Sequence, residues 1–137
     1  MIYVFDSSFV GAQIIPDEQD SQINALYRKI KLEDEKHAPH LLWYEISNIF
    51  KNLIRRKRYT FDDVMRFYEP LNALRLMCDS ETGINYSQRL LNLCNEYNIS
   101  SYDAAYLELA ERKKAVLCTM DADLRFAAKN HGVAVLI

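Results

Sequence analysis

Four acidic side chains stand where they could do chemistry together. Asp6 ends the apolar run Ile2–Phe5, within Phe5-Asp6-Ser7-Ser8. Asp121 follows a second run, Ala115–Cys118, within Thr119-Met120-Asp121-Ala122-Asp123-Leu124. Asp103 opens a helical pattern in Ser100-Ser101-Tyr102-Asp103-Ala104-Ala105, and Glu45 borders an apolar stripe with Leu42, Ile46, Ile49 and Phe50. A carboxylate beside such a stripe is rarely buried unless it is paired or binds a metal. Asn48, one turn on, is placed to orient Glu45 or a bound water.

Carboxylates brought together repel one another. At an effective dielectric near 20, two unit charges 4 Å apart cost about 4 kcal/mol. A cation relieves that cost, and ligation by oxygen alone selects Mg²⁺ or Mn²⁺. Zinc is disfavoured: His37 and His40 flank Pro39, His131 lies near the end, and no HExxH or paired-cysteine spacing occurs. Each acid also has a purely structural use. Asp6 and Asp121 could cap the helices that follow, and Asp103 could complete a capping box with Ser100.

Positioning these groups falls to alternating strands and helices. Ile2–Phe5, Ala115–Cys118 and Val133–Ile137 have strand character, as do Leu76–Asp79 and the segment around Ala38. Helical patterns cover Glu18–Leu32, Leu41–Arg56, Thr60 to about Arg75 with a bend at Pro70, Gly83–Tyr97, Ser101–Lys113 and Ala122–Asn130. His131-Gly132 stops the last of these. Short apolar strands between helices predict one three-layer α/β/α domain over residues 1–137, with a four- or five-stranded, mainly parallel sheet. In such a sheet ligands bind at the carboxyl ends of the strands, where Asp6 and Asp121 emerge.

Lys51, Arg55, Arg56, Lys57 and Arg58 crowd basic charge into eight positions. They suit phosphate or partner contact beside an acidic site, or equally a solvated helix end favoured by the dipole. Trp43, Tyr44, Phe50, Tyr59, Phe61, Phe67 and Tyr68 are expected mostly in the core, with a remainder available for a homodimer face.

The chain has 137 residues, 17 Lys+Arg against 19 Asp+Glu, and a formal charge of −2. That balance excludes a binder acting through bulk positive charge. Setting the four acids aside turns it to +2, so it does not exclude an enzyme acting on nucleic acid. Cys78, Cys94 and Cys118 are odd in number and lack CxxC spacing, which points to a reduced, cytoplasmic setting. The start Met-Ile-Tyr-Val-Phe-Asp6 does not read as a signal peptide, and no apolar run is long enough for a membrane span.

The sequence resembles the PIN-domain nucleases, in particular the short VapC-type toxins. The matching segments are Val4-Phe5-Asp6-Ser7-Ser8, Glu45-x-x-Asn48, Ser101-Tyr102-Asp103-Ala104-Ala105-Tyr106 and Cys118-Thr119-Met120-Asp121-Ala122-Asp123-Leu124, in the family's order along nearly the whole chain. The resemblance implies a ribonuclease dependent on Mg²⁺ or Mn²⁺. Asp6, Glu45, Asp103 and Asp121 would be its acidic quartet, with Ser8 and Thr119 as supporting polar groups. It also implies a homodimer and an antitoxin partner. Asp123 is a second carboxylate that could share the fourth ligand position, and Phe50 replaces the usual aliphatic residue. A non-catalytic module of the same fold is the main alternative. Another Mg²⁺-dependent phosphoryl-transfer domain fits less well: Ser8 stands where a haloacid-dehalogenase-type enzyme needs Asp, and no Lys follows the last strand as in a receiver domain.

Overall fold

The β1 strand, Ile2–Phe5, alternates its side chains between two cores. Tyr3 and Phe5 join one apolar cluster, whereas Val4 joins another. With only two-residue periodicity available, a strand buried on both faces must be apolar throughout, and this one is. The computed structural model describes residues 1–136.

Four parallel strands lie in the order β3-β2-β1-β4, where β2 is Glu35–Ala38, β3 is Met77–Cys78 and β4 is Val116–Cys118. Tyr3 registers with Lys36 on one side and Val116 on the other. Helices α1 (Ser7–Ile14), α2 (Ser21–Tyr27), α3 (Leu41–Arg55), α4 (Phe61–Arg66) and α5 (Tyr68–Ala73) supply the first core. Helices α6 (Ile84–Tyr97), α7 (Ser101–Lys113) and α8 (Ala122–Asn130) supply the second. The expected three-layer α/β/α fold is therefore present, with four strands.

Several elements differ from expectation for local reasons. Val133–Ile137 contributes a single parallel bridge, Leu117 to Val135, instead of a strand, and Ile137 lies outside the described residues. The helix expected over Glu18–Leu32 is only Ser21–Tyr27, because the Asp20 carboxylate caps it by accepting from the N–H groups of Gln22 and Ile23. Pro16–Glu18 forms a separate 3₁₀ turn. The helix expected from Thr60 to Arg75 divides at Phe67, one turn ahead of Pro70. Proline gives no N–H to the carbonyl four residues back, so the break precedes it. Helix α1 is the helix that Asp6 is expected to be able to cap; its extent is not legible in the sequence, since Phe9, Val10, Ala12 and Ile14 are all buried and give no clear period.

Helix α3 ends in a Schellman motif, with the Arg58 N–H donating to Leu53 O (3.1 Å) and the Lys57 N–H to Ile54 O (2.9 Å). Lys57 carries the left-handed conformation this requires, at φ 58°. An L side chain is strained there and glycine is not. Lys57→Gly is expected to raise unfolding stability by about 0.5–1 kcal/mol in urea titration.

Candidate active site

The direction of sheet growth reverses between β1 and β4: β2 and β3 extend to one side of β1, and β4 lies on the other. This is the point where open α/β sheets leave a crevice at the carboxyl edge. Asp6 and Thr119 flank it, immediately after the two strands.

Asp6 is 5% exposed and caps α1, its Oδ1 accepting from the Phe9 N–H at 2.9 Å. Ser8 Oγ lies 2.6 Å from the same oxygen, and Thr119 Oγ1 donates to Oδ2. The direction of both hydroxyl bonds is settled by what lies behind them. Ser8 Oγ accepts from the Met120 N–H (3.0 Å) and Thr119 Oγ1 from the Asp121 N–H (3.0 Å), so each hydroxyl proton turns to Asp6. The loop after β4 is thereby tied to the Asp6 carboxylate. Asp121 caps α8 through Leu124 N–H at 2.9 Å. The structural and chemical uses weighed for Asp6 and Asp121 thus coexist.

At Asp103 the outcome differs. Ser100 Oγ accepts from the Asp103 N–H at 3.1 Å, but among the described residues the return bond from the Ser100 N–H is not made. At Thr60 and Asp63 both halves of such a box are present. The Asp103 carboxylate meets the Ser100 hydroxyl instead of the Ser100 N–H.

Glu45 projects from α3 and accepts a hydrogen bond from the Tyr106 hydroxyl on α7. The Ser7 hydroxyl lies against both groups. Tyr106 is fully buried, and a buried phenol requires a partner. Sequence reasoning quoted Tyr106 in a motif without a role; its partner is 61 residues away, so no local spacing could reveal it. Asn48 is exposed, and among the described residues it makes no hydrogen bond to Glu45.

Electrostatics join the four acids. Burial pushes the Asp6 carboxyl above the usual range and Asp121 adds to the rise, which the three hydrogen bonds oppose. Burial likewise raises Glu45, with contributions from Asp6 and Asp103. Asp103 is raised by burial, then by Asp121, Asp6 and Asp123. Elsewhere carboxyls are held low, Asp17 by Arg58 and Asp63 by the Thr60 backbone. The Cys118 thiol is pushed up by burial and by Asp6, so this cysteine is inert as a nucleophile.

The donor set, carboxylate oxygens that burial and mutual repulsion make costly to ionise, fits a hard divalent cation in kind. In spacing it is open: among the described residues no three Asp, Glu, His or Cys side chains are close enough together to grip one ion. Asp123 is exposed on the same rim and acts on Asp103.

The basic segment is divided by the structure. Arg56 lines a cleft of about 210 Å³ together with Glu18, Asn52, Arg58 and the Ser7 and Ser8 that follow Asp6. Arg58 is engaged by Asp17 and Glu18. Lys51 and Arg55 are exposed and do not line that cleft. Of the aromatic group, Phe50 and Phe67 are buried and packed edge to face, while Tyr44 and Phe61 are exposed.

The description of the PIN domain matches residues 3–130. This chain belongs to the PIN-domain family. Among its relatives, the protein named Ribonuclease VapC3 of Pyrobaculum aerophilum is 28% identical over 124 residues, 90% of this chain and 92% of that protein. Ribonuclease VapC9 of Mycobacterium tuberculosis is 31% identical over 124 residues, covering 90% of this chain and 87% of its own. The crystal structure of PAE2754 from Pyrobaculum aerophilum superposes with a TM-score of 0.71 at 22% identity, over 99% of this chain and 84% of that one. The PIN fold here accordingly carries its four acids at the carboxyl edge of β1, on α3, on α7 and after β4.

Proposed function

We propose that this PIN domain is a divalent-metal-dependent endoribonuclease, the toxin of a type II toxin–antitoxin pair. The observation that supports it most is the placement of four acids from separate elements at one sheet edge, with Asp6, Glu45 and Asp103 raised first by burial and then by neighbouring carboxylates. Asp6, Glu45, Asp103 and Asp121 would hold Mg²⁺ or Mn²⁺. When bound, the ion supplies charge neutralisation at the scissile phosphate and lowers the pKa of water.

The chain's own groups do the rest. Asp6 is fixed by Ser8, Thr119 and the Phe9 N–H, so it needs no reorganisation to act as the central anchor. Glu45 is half-buried and held by the Tyr106 hydroxyl, which would orient its carboxylate toward the ion. Arg56 offers a guanidinium to a neighbouring phosphate from the adjoining cleft. RNA as substrate accords with the names of the relatives. An antitoxin partner and a homodimer follow from the family resemblance, with exposed Tyr44 and Phe61 available for such contacts.

Structured RNA incubated with the protein and Mg²⁺ should be cleaved, should survive in EDTA, and should be cleaved again when Mg²⁺ is restored. Cleavage undiminished by EDTA would refute the metal mechanism. The open spacing of the acids favours one other reading, a non-catalytic RNA- or protein-binding module, and absence of cleavage with Mg²⁺ or Mn²⁺ would support it.

Tyr106→Phe is expected to lower kcat about 10- to 100-fold while leaving the fold intact. It removes the hydroxyl that orients Glu45 and none of the buried ring. Circular dichroism together with steady-state cleavage checks both halves.

A further inference from the structure

Glu45 lies between two unlike clefts along the axis of α3. Arg56 and its cleft are at the carboxyl end of that helix, about 16 Å beyond Glu45 at 1.5 Å per residue. At the amino end is a second cleft of about 380 Å³, lined by His40, Leu41, Thr82, Tyr86, Ser101 and Tyr102. Its walls begin at the acidic rim: Tyr102 immediately precedes Asp103, and His40 and Leu41 are one turn ahead of Glu45.

The lining points to one kind of occupant. Tyr102 is 64% exposed although it borders a cavity, and Tyr86 is half-buried across from open space. Thr82 and Ser101 add neutral hydroxyls. The two acids at this cleft, Asp79 and Glu81, are engaged within the protein by Arg112 (2.6 and 3.1 Å) and Arg89 (3.0 Å), guanidiniums that Glu108 shares. Among the described residues that line the cleft, no Lys or Arg is present to bind phosphate. A cleft of this size, with aromatic walls and no Lys or Arg in its lining, suits a flat, neutral, polar-edged group and not a phosphate. The substrate offers such a group beside every phosphate, and single-stranded bases stack on aromatic side chains regardless of sequence.

We infer that this second cleft is a base-binding subsite, in which Tyr102 stacks on the nucleobase adjacent to the scissile phosphate. The inference rests on the nuclease reading of the four acids. With the phosphate at the carboxylates, the backbone runs toward Arg56 on one side and one base turns into the Tyr102 cleft on the other. The substrate segment at this site is therefore unpaired.

The test uses the whole protein with Mg²⁺ and an RNA oligonucleotide whose cut has been mapped. Each of the two nucleotides flanking the cut is replaced in turn by an abasic residue. In the wild type, one replacement should raise KM about tenfold with little change in kcat. Tyr102→Ala should raise KM on intact RNA by a similar factor and should remove the abasic penalty, whereas Tyr102→Phe should restore both. An unchanged KM for Tyr102→Ala, or an abasic penalty that persists in it, overturns the inference. That is also the result expected if the cleft instead takes an aromatic side chain of a protein partner. Should the wild type cleave no RNA, the nuclease reading fails separately. Dissociation constants for the same oligonucleotides, from fluorescence anisotropy, then decide the subsite by the same pattern.

Discussion

Asp6→Asn is expected to lower kcat/KM for RNA cleavage about 10³-fold while leaving the protein folded and at least as heat-stable in the absence of metal. The rate loss follows from the proposed place of Asp6 as the fixed anchor for the cation, worth several kcal/mol at about 1.4 kcal/mol per tenfold. The stability result follows from its surroundings. An asparagine Oδ1 still accepts from the Phe9 N–H and Ser8 Oγ, and its amide can donate to Thr119 Oγ1. It also removes a charge whose burial raises the carboxyl pKa.

The pH dependence has a definite sign. For Asp6, Glu45 and Asp103 the folded pKa lies above the unfolded one, so the native state binds more protons between those two values. Their contribution to stability is complete below the ordinary carboxylate range and is lost as pH rises through the folded values. Asp17 and Asp63 act oppositely, and only below that range, because their folded values are depressed. The Tm of metal-free protein should therefore decline on going from mildly acidic to neutral pH. Mg²⁺ or Mn²⁺ should offset the decline, and Asp6→Asn should flatten it. A wild-type Tm that climbs steadily over this interval would show that the acids do not repel one another.

Arg112→Met is expected to cost about 3 kcal/mol of unfolding stability, the largest loss anticipated for a residue outside the acidic site. Glu108 is 3% exposed and is held by Arg112 at 2.8 and 3.2 Å, with Arg89 at 3.3 Å as its second partner. Arg112 also bridges to Asp79 at the end of β3. Removing it leaves a buried carboxylate with one longer contact, and Asp79 without its bidentate partner. Replacing Glu108 by Met as well should recover much of the loss, since an apolar pair of similar volume avoids the burial of charge. Urea titration of the two variants decides the matter. A single variant within about 0.5 kcal/mol of wild type would mean that solvent already screens the network.

The architecture was readable from the alternation of short apolar runs with amphipathic stretches, because a strand covered on both faces leaves an uninterrupted run such as Tyr3-Val4-Phe5. What escaped was the extent of helix α1, whose buried residues show no period, and the full division of the bent helix at Phe67, which depends on where the backbone misses the N–H of Pro70. Asp6 and Asp121 were recognisable as strand-end carboxylates. Their support by Ser8 and Thr119 came into view through the family resemblance, and the structure adds the direction of each hydroxyl. Tyr106 could not be assigned from spacing, because its role exists only once α3 and α7 pack together. The basic run shows the same limit. Five neighbouring charges look alike in sequence, yet Arg56 and Arg58 line the cleft beside Ser7 and Ser8, Arg58 paired there with Asp17 and Glu18, whereas Lys51 and Arg55 do not line it.

The most direct test of the metal-nuclease account is the Mn²⁺ dependence of RNA cleavage by wild type and by Asp103→Asn. Asp103 is the acid whose capping box is left open and whose pKa is raised by burial and then by Asp121 and Asp6, against the hydrogen bond of the Ser100 hydroxyl. The account predicts that the variant cleaves slowly and requires at least about tenfold more Mn²⁺ for half-maximal rate. Equal rates and equal Mn²⁺ requirements in the two proteins would contradict it.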